Sequence, residues 1–114
     1  MPMKYEILFL PLAGQDVLGI SDALSGHPVR ARRLLGEMQS KLRLLEYMPN
    51  MWPQYAPAPE YRRMDLEDHL LLYTVDETRR MVRVFRVLYD KADPQQAGRS
   101  AGDTPPGENL SAMS

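Results

Sequence analysis

The sequence predicts an α+β fold in which an N-terminal strand is followed by a helical hairpin and then by a three-strand antiparallel meander. Three patterns support this prediction. A short apolar run at residues 5–10 ends at a proline, apolar residues recur at helical spacing over residues 31–45, and three apolar runs with short polar turns fill residues 61–89. Since the two helices come between strands, we expect them to cover one face of a sheet.

The first strand and the first helix follow from residues 5–26. Residues 5–10 read Tyr-Glu-Ile-Leu-Phe-Leu, and Pro11 stops the run, which is typical of a strand that is buried on at least one face. We predict that a helix then begins at Gln15 and ends at Gly26, because glycine suits the position after a helix. The apolar residues that would share one face of this helix are Val17, Ile20 and Leu24.

The second helix has the strongest local signal. Pro28 suits its first turn, where no backbone donor is needed, and Pro49 disfavours helical geometry at Met48. The apolar stripe of this helix consists of Ala31, Leu34, Leu35, Met38, Leu42 and Leu45. Because such a stripe most often packs on a core, we expect Leu35 and Met38 to be buried between the hairpin and the sheet.

The meander is predicted from the second half of the chain. Its strands are residues 61–66, 70–75 and 81–89. The polar segments 67–69 and 76–79 are short enough to be turns, so consecutive strands should pair antiparallel. Before the meander, residues 49–59 contain four prolines and should form an extended connector. Its aromatic residues, Trp52 and Tyr55, are expected to seal the edge of the core.

The composition changes at Pro94, which we take as the domain boundary. Residues 94–114 contain three prolines, three glycines and three serines, with no aromatic or β-branched apolar residue. Such a segment cannot bury enough apolar surface to offset the entropy lost on ordering. We therefore predict one folded domain at residues 1–93 and a disordered tail at residues 94–114.

Deleting residues 94–114 is therefore expected to leave the melting temperature and the biological activity of the chain nearly unchanged. Thermal denaturation of the full-length and truncated chains tests this prediction. A loss of several degrees on truncation would show instead that the tail docks on the domain.

The composition excludes several classes of protein. The chain has 114 residues, a net charge of −1, no cysteine and two histidines, so a disulfide scaffold, a thiolate metal site and a histidine-rich metal site are not expected. A nearly neutral chain is not a general nucleic-acid binder. No apolar run reaches the ~18–20 residues needed to span a bilayer, and no secretory signal is evident. We therefore expect a cytoplasmic protein without a metal or a cofactor and with no membrane partner.

Arg86 is the most unusual charged residue. It lies in the run Val-Phe-Arg-Val-Leu at residues 84–88, and a charge among apolar neighbours is costly unless it is paired or functional. Two interpretations remain open. Arg86 either pairs with Asp65 or Glu67, or it belongs to a functional site.

Tyr89 and His69 each have a structural and a functional interpretation. Tyr89 ends the last predicted strand and is either an aromatic residue at the rim or part of a site. His69 lies in a predicted turn and is expected to be exposed unless it has a functional role. No Ser/His/Asp set, phosphate-binding glycine loop or metal-spaced cluster accompanies them.

Cations flank the apolar stripe of the second helix. They are Arg30, Arg32, Arg33, Lys41 and Arg43. This basic flank is either a solvated helix face or a contact surface for a more acidic partner, for which Arg30, Arg33 and Lys41 are our candidates.

Short phrases in a characteristic order extend from residue 4 to about residue 93. They include Lys-Tyr-Glu-Ile at 4–7, Tyr-Arg-Arg-Met at 61–64, Leu-Tyr-Thr-Val-Asp-Glu at 72–77 and Val-Phe-Arg-Val-Leu-Tyr at 84–89. Together with the element order, these phrases resemble the RelE/ParE superfamily of toxins from type II toxin–antitoxin systems. The resemblance implies a growth inhibitor that is neutralised by a co-encoded antitoxin.

The superfamily has branches that poison DNA gyrase, as ParE does, and branches that cut messenger RNA on the ribosome, as RelE does. If this chain is a nuclease, the resemblance assigns the catalytic roles to Arg86, Tyr89 and His69. The cations that would bind the target are Arg62, Arg63, Arg83 and Lys91.

Two departures from the superfamily pattern favour the gyrase-poison branch. Leu70 stands where an arginine is common, and residues 90–93 read Asp-Lys-Ala-Asp without the usual glycine and arginine. Both changes remove features that the nucleases use. The alternatives are a ribosome-dependent endoribonuclease and an inactive module that only binds a partner.

Overall fold

The computed structural model describes residues 3–90 and confirms the predicted α+β class and element order. The elements are β1 (Glu6–Phe9), α1 (Pro11–Ala23), α2 (Pro28–Leu45), β2 (Arg62–Leu66), β3 (His69–Asp76) and β4 (Met81–Tyr89). Lys91 and the predicted tail at residues 94–114 lie outside the described residues. No helix within residues 3–90 is long and apolar enough to cross a membrane.

The sheet has four strands in the order β1-β4-β3-β2. β2, β3 and β4 form the predicted antiparallel meander, and β1 adds to it by pairing in parallel with β4. The sheet is therefore mixed rather than a separate strand and meander. A parallel pair needs a long crossover, and the connection from β1 to β4 contains both helices together with β2 and β3. α1 packs mainly on β4, whereas α2 lies over β2.

α1 begins at Pro11, earlier than the predicted start at Gln15. Pro11 ends β1 and also serves as the first helical residue, where its missing N–H and fixed φ cost nothing. The strand and the helix are consequently joined by Leu10 alone. This early start lets the first turns of α1 run beside the edge of β4.

α2 follows the predicted stripe, but its buried face is narrower than expected. Met38 is buried, as predicted, and so are Leu34 and Leu45. The prediction for Leu35 is wrong, because this side chain remains 39% exposed. Leu35 lies at the edge of the stripe, beside a crevice that it shares with Val17 of α1.

The proline-rich connector is fixed to the core through several contacts. Trp52 packs against the core, as predicted, and the ammonium group of Lys41 lies 5.1 Å from the centre of its ring. Tyr55 is only half-buried, and its backbone N–H donates to the carbonyl of Tyr61. The buried hydroxyl of Tyr73 donates to the carbonyl of Pro49 at 2.7 Å, and burial raises the pKa of this hydroxyl to about 12.

Candidate functional site at the end of the sheet

His69 and Tyr89 lie together at one end of the sheet. His69 was predicted to be an exposed turn residue, but it is the first residue of β3 and only 8% exposed. Only Glu67 and Asp68 form the turn, with Asp68 at a φ of 59°. His69 therefore pairs with Tyr89 across the strands, and their rings meet edge to face with centroids 5.4 Å apart.

A β-bulge in β4 shifts the pairing register of β3 and β4 just before this end of the sheet. Leu72 faces Arg86 and Tyr73 faces Val84, so Phe85 is left without a partner in the β3–β4 register. The extra residue changes which side chains point to the core, and Val84 and Val87 are both buried there. The ring of Phe85 stacks on that of Tyr61, with centroids 4.7 Å apart.

Arg86 is paired, but with Asp16 of α1 rather than with Asp65 or Glu67. Its Nε donates to Asp16 Oδ2 at 2.7 Å and its Nη2 donates to Oδ1 at 3.0 Å. The backbone N–H of Val87 also donates to Asp16 Oδ2, at 2.9 Å. These hydrogen bonds, with that from Arg86 foremost, lower the pKa of the Asp16 carboxyl despite its partial burial.

Asp16 hydrogen-bonds to the edge of β4 at a point that β1 is too short to reach. β1 pairs with β4 only as far as Phe9 and Val84, and Leu10 N–H then donates to the Val84 carbonyl. Beyond that point the edge of β4 has no strand neighbour, and the Asp16 carboxylate accepts the N–H of Val87. A buried edge N–H needs such a partner, so Asp16 has a structural role that the sequence pattern did not reveal.

The other predicted binding cations are dispersed over the domain. Arg62 donates to the carbonyl of Trp52 in the connector. Arg63 forms ion pairs with Asp65 and Asp90. Arg83 pairs with a carboxylate at the opposite end of the sheet from Tyr89, that of Asp76. The structure thus brings His69 and Tyr89 together and places Arg86 nearby, but it does not gather the remaining cations around them.

The three cations of α2 that we assigned to partner binding make ion pairs within the chain. Arg30 pairs with Asp68, Arg33 with Glu67, and Lys41 with Glu37. Lys41 also donates to the Asp65 carbonyl, on β2, at 2.6 Å. These contacts fasten α2 to β2 and to the β2–β3 turn, and the partner-binding role of these cations stays a prediction.

A groove of about 550 Å³ opens beside the His69–Tyr89 pair. We call it the α1 groove, because α1 contributes more of its lining residues than any other element. Its lining residues are Gln15, Asp16, Gly19, Ile20, Ala23, Leu24, His27, Arg30, His69, Val87, Leu88 and Tyr89. Both histidines of the chain therefore line the same groove.

The lowered pKa of the Asp76 carboxyl indicates how the stability of the fold changes with pH. Asp76 accepts hydrogen bonds from the backbone N–H and guanidinium of Arg79 and from Arg83, which lower its pKa to about 2. Since the pKa is lower in the folded state than the unfolded value of about 4, this group stabilises the fold above about pH 4 and loses its contribution as pH falls towards 2. We expect the urea midpoint to fall in this window, and to fall less steeply in Asp76→Asn.

Measuring the urea midpoint of both chains from pH 6 to pH 2 tests this expectation. Asp22→Asn is the matched control, because it removes one carboxylate that is exposed on α1. An equally steep fall in the wild type and in Asp76→Asn would contradict the assignment.

His69 and Tyr89 could each carry a proton, but the nearest strand cation, Arg86, is held in two hydrogen bonds to Asp16. Among residues 3–90, no three His, Asp or Glu side chains come together as a metal-binding group.

The comparisons with known proteins agree with this fold. Residues 7–94 match the family model of the ParE toxin of the type II toxin–antitoxin system, parDE. The fold is similar to that in the chromosomal ParDE system from P. aeruginosa, with a TM-score of 0.64, 15% identity and coverage of 77% of this chain and 98% of that chain. It is also similar to that in the RelBE2 toxin–antitoxin complex from Mycobacterium tuberculosis, with a TM-score of 0.56, 19% identity and coverage of 76% and 99%. No curated protein matches the sequence significantly.

Proposed function

Since the chain belongs to the ParE toxin family of type II toxin–antitoxin systems, we propose that it inhibits growth in the cytoplasm by binding DNA gyrase, and that a co-encoded antitoxin neutralises it. The similar structures support the partner, because both are named as toxin–antitoxin systems or complexes. The target follows from the family match together with the charges described above.

The observation that carries the choice of target is the pairing of Arg86. A phosphate-stabilising cation must be free to face the charge that develops in the transition state. The guanidinium of Arg86 instead donates to both oxygens of Asp16. A nuclease role would require this two-point ion pair to break, and charge-assisted pairs of that geometry are among the stronger hydrogen bonds.

The dispersal of the other cations supports the same choice. Arg63 and Arg83 are paired with carboxylates, and Arg62 donates to backbone carbonyls. An RNA-cleaving site needs several cations converging on one phosphate. The described residues do not form such a cluster, so binding to a protein target accounts better for the arrangement.

A ribosome-dependent endoribonuclease is the second candidate. The observation that favours it is the contact between His69 and Tyr89, which places two proton-carrying side chains at one end of the sheet. In this alternative Tyr89, which is 60% exposed, would meet the RNA and exchange a proton with it. Arg86 would then have to leave Asp16 when RNA binds.

The purified protein tests the gyrase proposal directly. We expect that adding it to DNA gyrase, ATP and supercoiled plasmid yields linear plasmid after detergent and protease treatment, because a gyrase poison traps the enzyme on cleaved DNA. The same chain in complex with its antitoxin is the matched control and should yield none. Growth arrest in cells without linear plasmid in this assay would contradict the proposed target.

A further inference from the structure

The end of the sheet opposite Tyr89 carries a cleft of about 540 Å³. It lies between the residues that lead into β1 and the turn that joins β3 to β4. Its lining residues are Met3, Lys4, Tyr5, Glu6, Thr78, Arg79 and Arg80. Three of them are cations and one is an acid, so the cleft is basic although the whole chain has a net charge of −1.

Arg80 holds a backbone conformation that residues with a side chain rarely adopt. It is the last residue before β4 and has a φ of 50°, in the left-handed region that glycine occupies without strain. Its guanidinium lies 6.0 Å from the centre of the Tyr5 ring and forms no ion pair within residues 3–90. Glycine would therefore serve the turn at least as well, and a binding role accounts for an arginine at this position.

Large apolar side chains are exposed near the cleft, at the end of α2. Leu44, Tyr47 and Met48 are three and four residues apart and share one side of the last helical turn, since the N–H groups of Tyr47 and Met48 both donate to the Leu44 carbonyl. Met51 follows in the connector. All four side chains are between 43% and 55% exposed. A group of this kind is more typical of a protein contact than of a solvated helix end.

Hydrogen bonds hold the cleft and these apolar side chains together. The backbone N–H of Tyr5 donates to the carbonyl of Glu46, at the end of α2, at 2.8 Å. The hydroxyl of Tyr5 donates to Glu77 Oε1 at 2.8 Å, and the side-chain amide of Asn50 in the connector donates to Glu77 Oε2 at 3.3 Å. We call the cleft and the four apolar side chains together the turn surface.

We propose that the turn surface binds the protein target of the toxin, at a region of the target that presents a carboxylate to Arg80 and an apolar pocket to Met48. This inference rests on the proposed function, because it names the part of the toxin that meets the target. Tyrosine, methionine and arginine are enriched in protein interfaces, and the turn surface contains all three. Its excess of cations attracts an acidic partner and increases the rate of association.

Two other occupants fit the turn surface less well. In a two-fold dimer the same surface of both copies meets itself, so the cations of one cleft would face the cations of the other. DNA would suit the cations, but its backbone is contacted by charged and polar groups. The apolar side chains at the end of α2 would then remain exposed.

Two substitutions separate binding by the turn surface from folding. Arg80→Gly removes the cation and suits the left-handed backbone, so its melting temperature should be no lower than that of the wild type. Met48→Gln keeps the length of the side chain but makes it polar. The dissociation constant of each full-length variant for purified DNA gyrase is measured by biolayer interferometry. We expect both variants to bind at least tenfold more weakly than the wild type.

The matched control is Leu18→Gln, which makes the same change at a side chain that is 69% exposed on α1. It should bind gyrase within about threefold of the wild type, and melting temperatures of all three variants show that they fold. Wild-type binding together with unchanged binding of Arg80→Gly and Met48→Gln would overturn the assignment of the turn surface and leave the proposed function intact. A wild-type chain that binds no gyrase would contradict both.

Three further measurements identify a different occupant if there is one. Loss of antitoxin binding in Arg80→Gly and Met48→Gln with unchanged gyrase binding would assign the turn surface to the antitoxin and overturn the inference. Binding to plasmid DNA alone that Arg80→Gly weakens and Met48→Gln does not would assign it to nucleic acid. Self-association of the wild type that Met48→Gln abolishes would assign it to a second copy.

Discussion

Replacing Leu34 by alanine is expected to lower the free energy of unfolding by about 2–5 kcal/mol, the typical cost of truncating a buried leucine. Leu34 is 5% exposed and packs in the core with Met38 and Leu66. Urea denaturation monitored by circular dichroism measures the change. Loss of this side chain should not alter the groove directly, so the effect reports on the packing of α2 against the sheet.

The adjacent Leu35 is the matched control, because it has the same chemistry and lies in the same turn of α2. Its side chain is 39% exposed, so Leu35→Ala should cost no more than about 1 kcal/mol. Equal losses for the two leucines, or a larger loss for Leu35→Ala, would show that α2 is rotated from the orientation described above.

Asp16→Ala is expected to lower the free energy of unfolding by about 2–3 kcal/mol. The substitution removes the carboxylate that accepts from Arg86 and from the backbone N–H of Val87. Hydrogen bonds to charged groups typically contribute about 1.5–3 kcal/mol, and a donor left unpaired adds a desolvation cost. Thermal and urea denaturation measure the loss.

Asp16→Asn should have an intermediate effect, because its amide oxygen can still accept from Val87 while the charge that holds Arg86 is lost. Asp22→Asn on the exposed side of the same helix controls for the change in net charge. If Asp16→Ala is no less stable than Asp22→Asn, the pairing of Asp16 with the edge of β4 does not exist in solution.

The element order could be predicted from local patterns, because each pattern depends on neighbouring residues. The proline at position 11 and the apolar stripe of α2 mark elements that the structure contains. The predicted start of α1 at Gln15 is wrong, because Pro11 both ends the strand and begins the helix. Proline serves both purposes here, since the first helical position needs no N–H.

The parallel pairing of β1 with β4 could not be predicted in the same way. It joins Glu6–Phe9 to residues more than seventy positions later, and hydrophobic periodicity carries no information about such distant partners. The prediction that Leu35 is buried is wrong for a related reason. Periodicity defines a stripe, but the width of the buried part depends on how closely α1 packs beside α2.

The candidate site was predicted in part. Arg86, Tyr89 and His69 do lie at the same end of the domain, but the sequence did not indicate that Asp16 holds Arg86. The only sequence signal is that a charge inside an apolar strand needs a partner, and Asp65 and Glu67 are much nearer than Asp16 to Arg86 along the chain. The bulge at Phe85 has no sequence signal either, although it changes the sheet face to which the following side chains point.

Primer extension on messenger RNA after induction of the toxin tests most directly whether this protein acts without cutting RNA. Because Arg86 is held by Asp16, we expect growth arrest with no toxin-dependent 5′ ends on ribosome-bound messages. We also expect induction of the DNA-damage response in the same cells. Cuts in phase with codons that disappear in Arg86→Ala would contradict the gyrase proposal and identify the protein as a ribosome-dependent endoribonuclease.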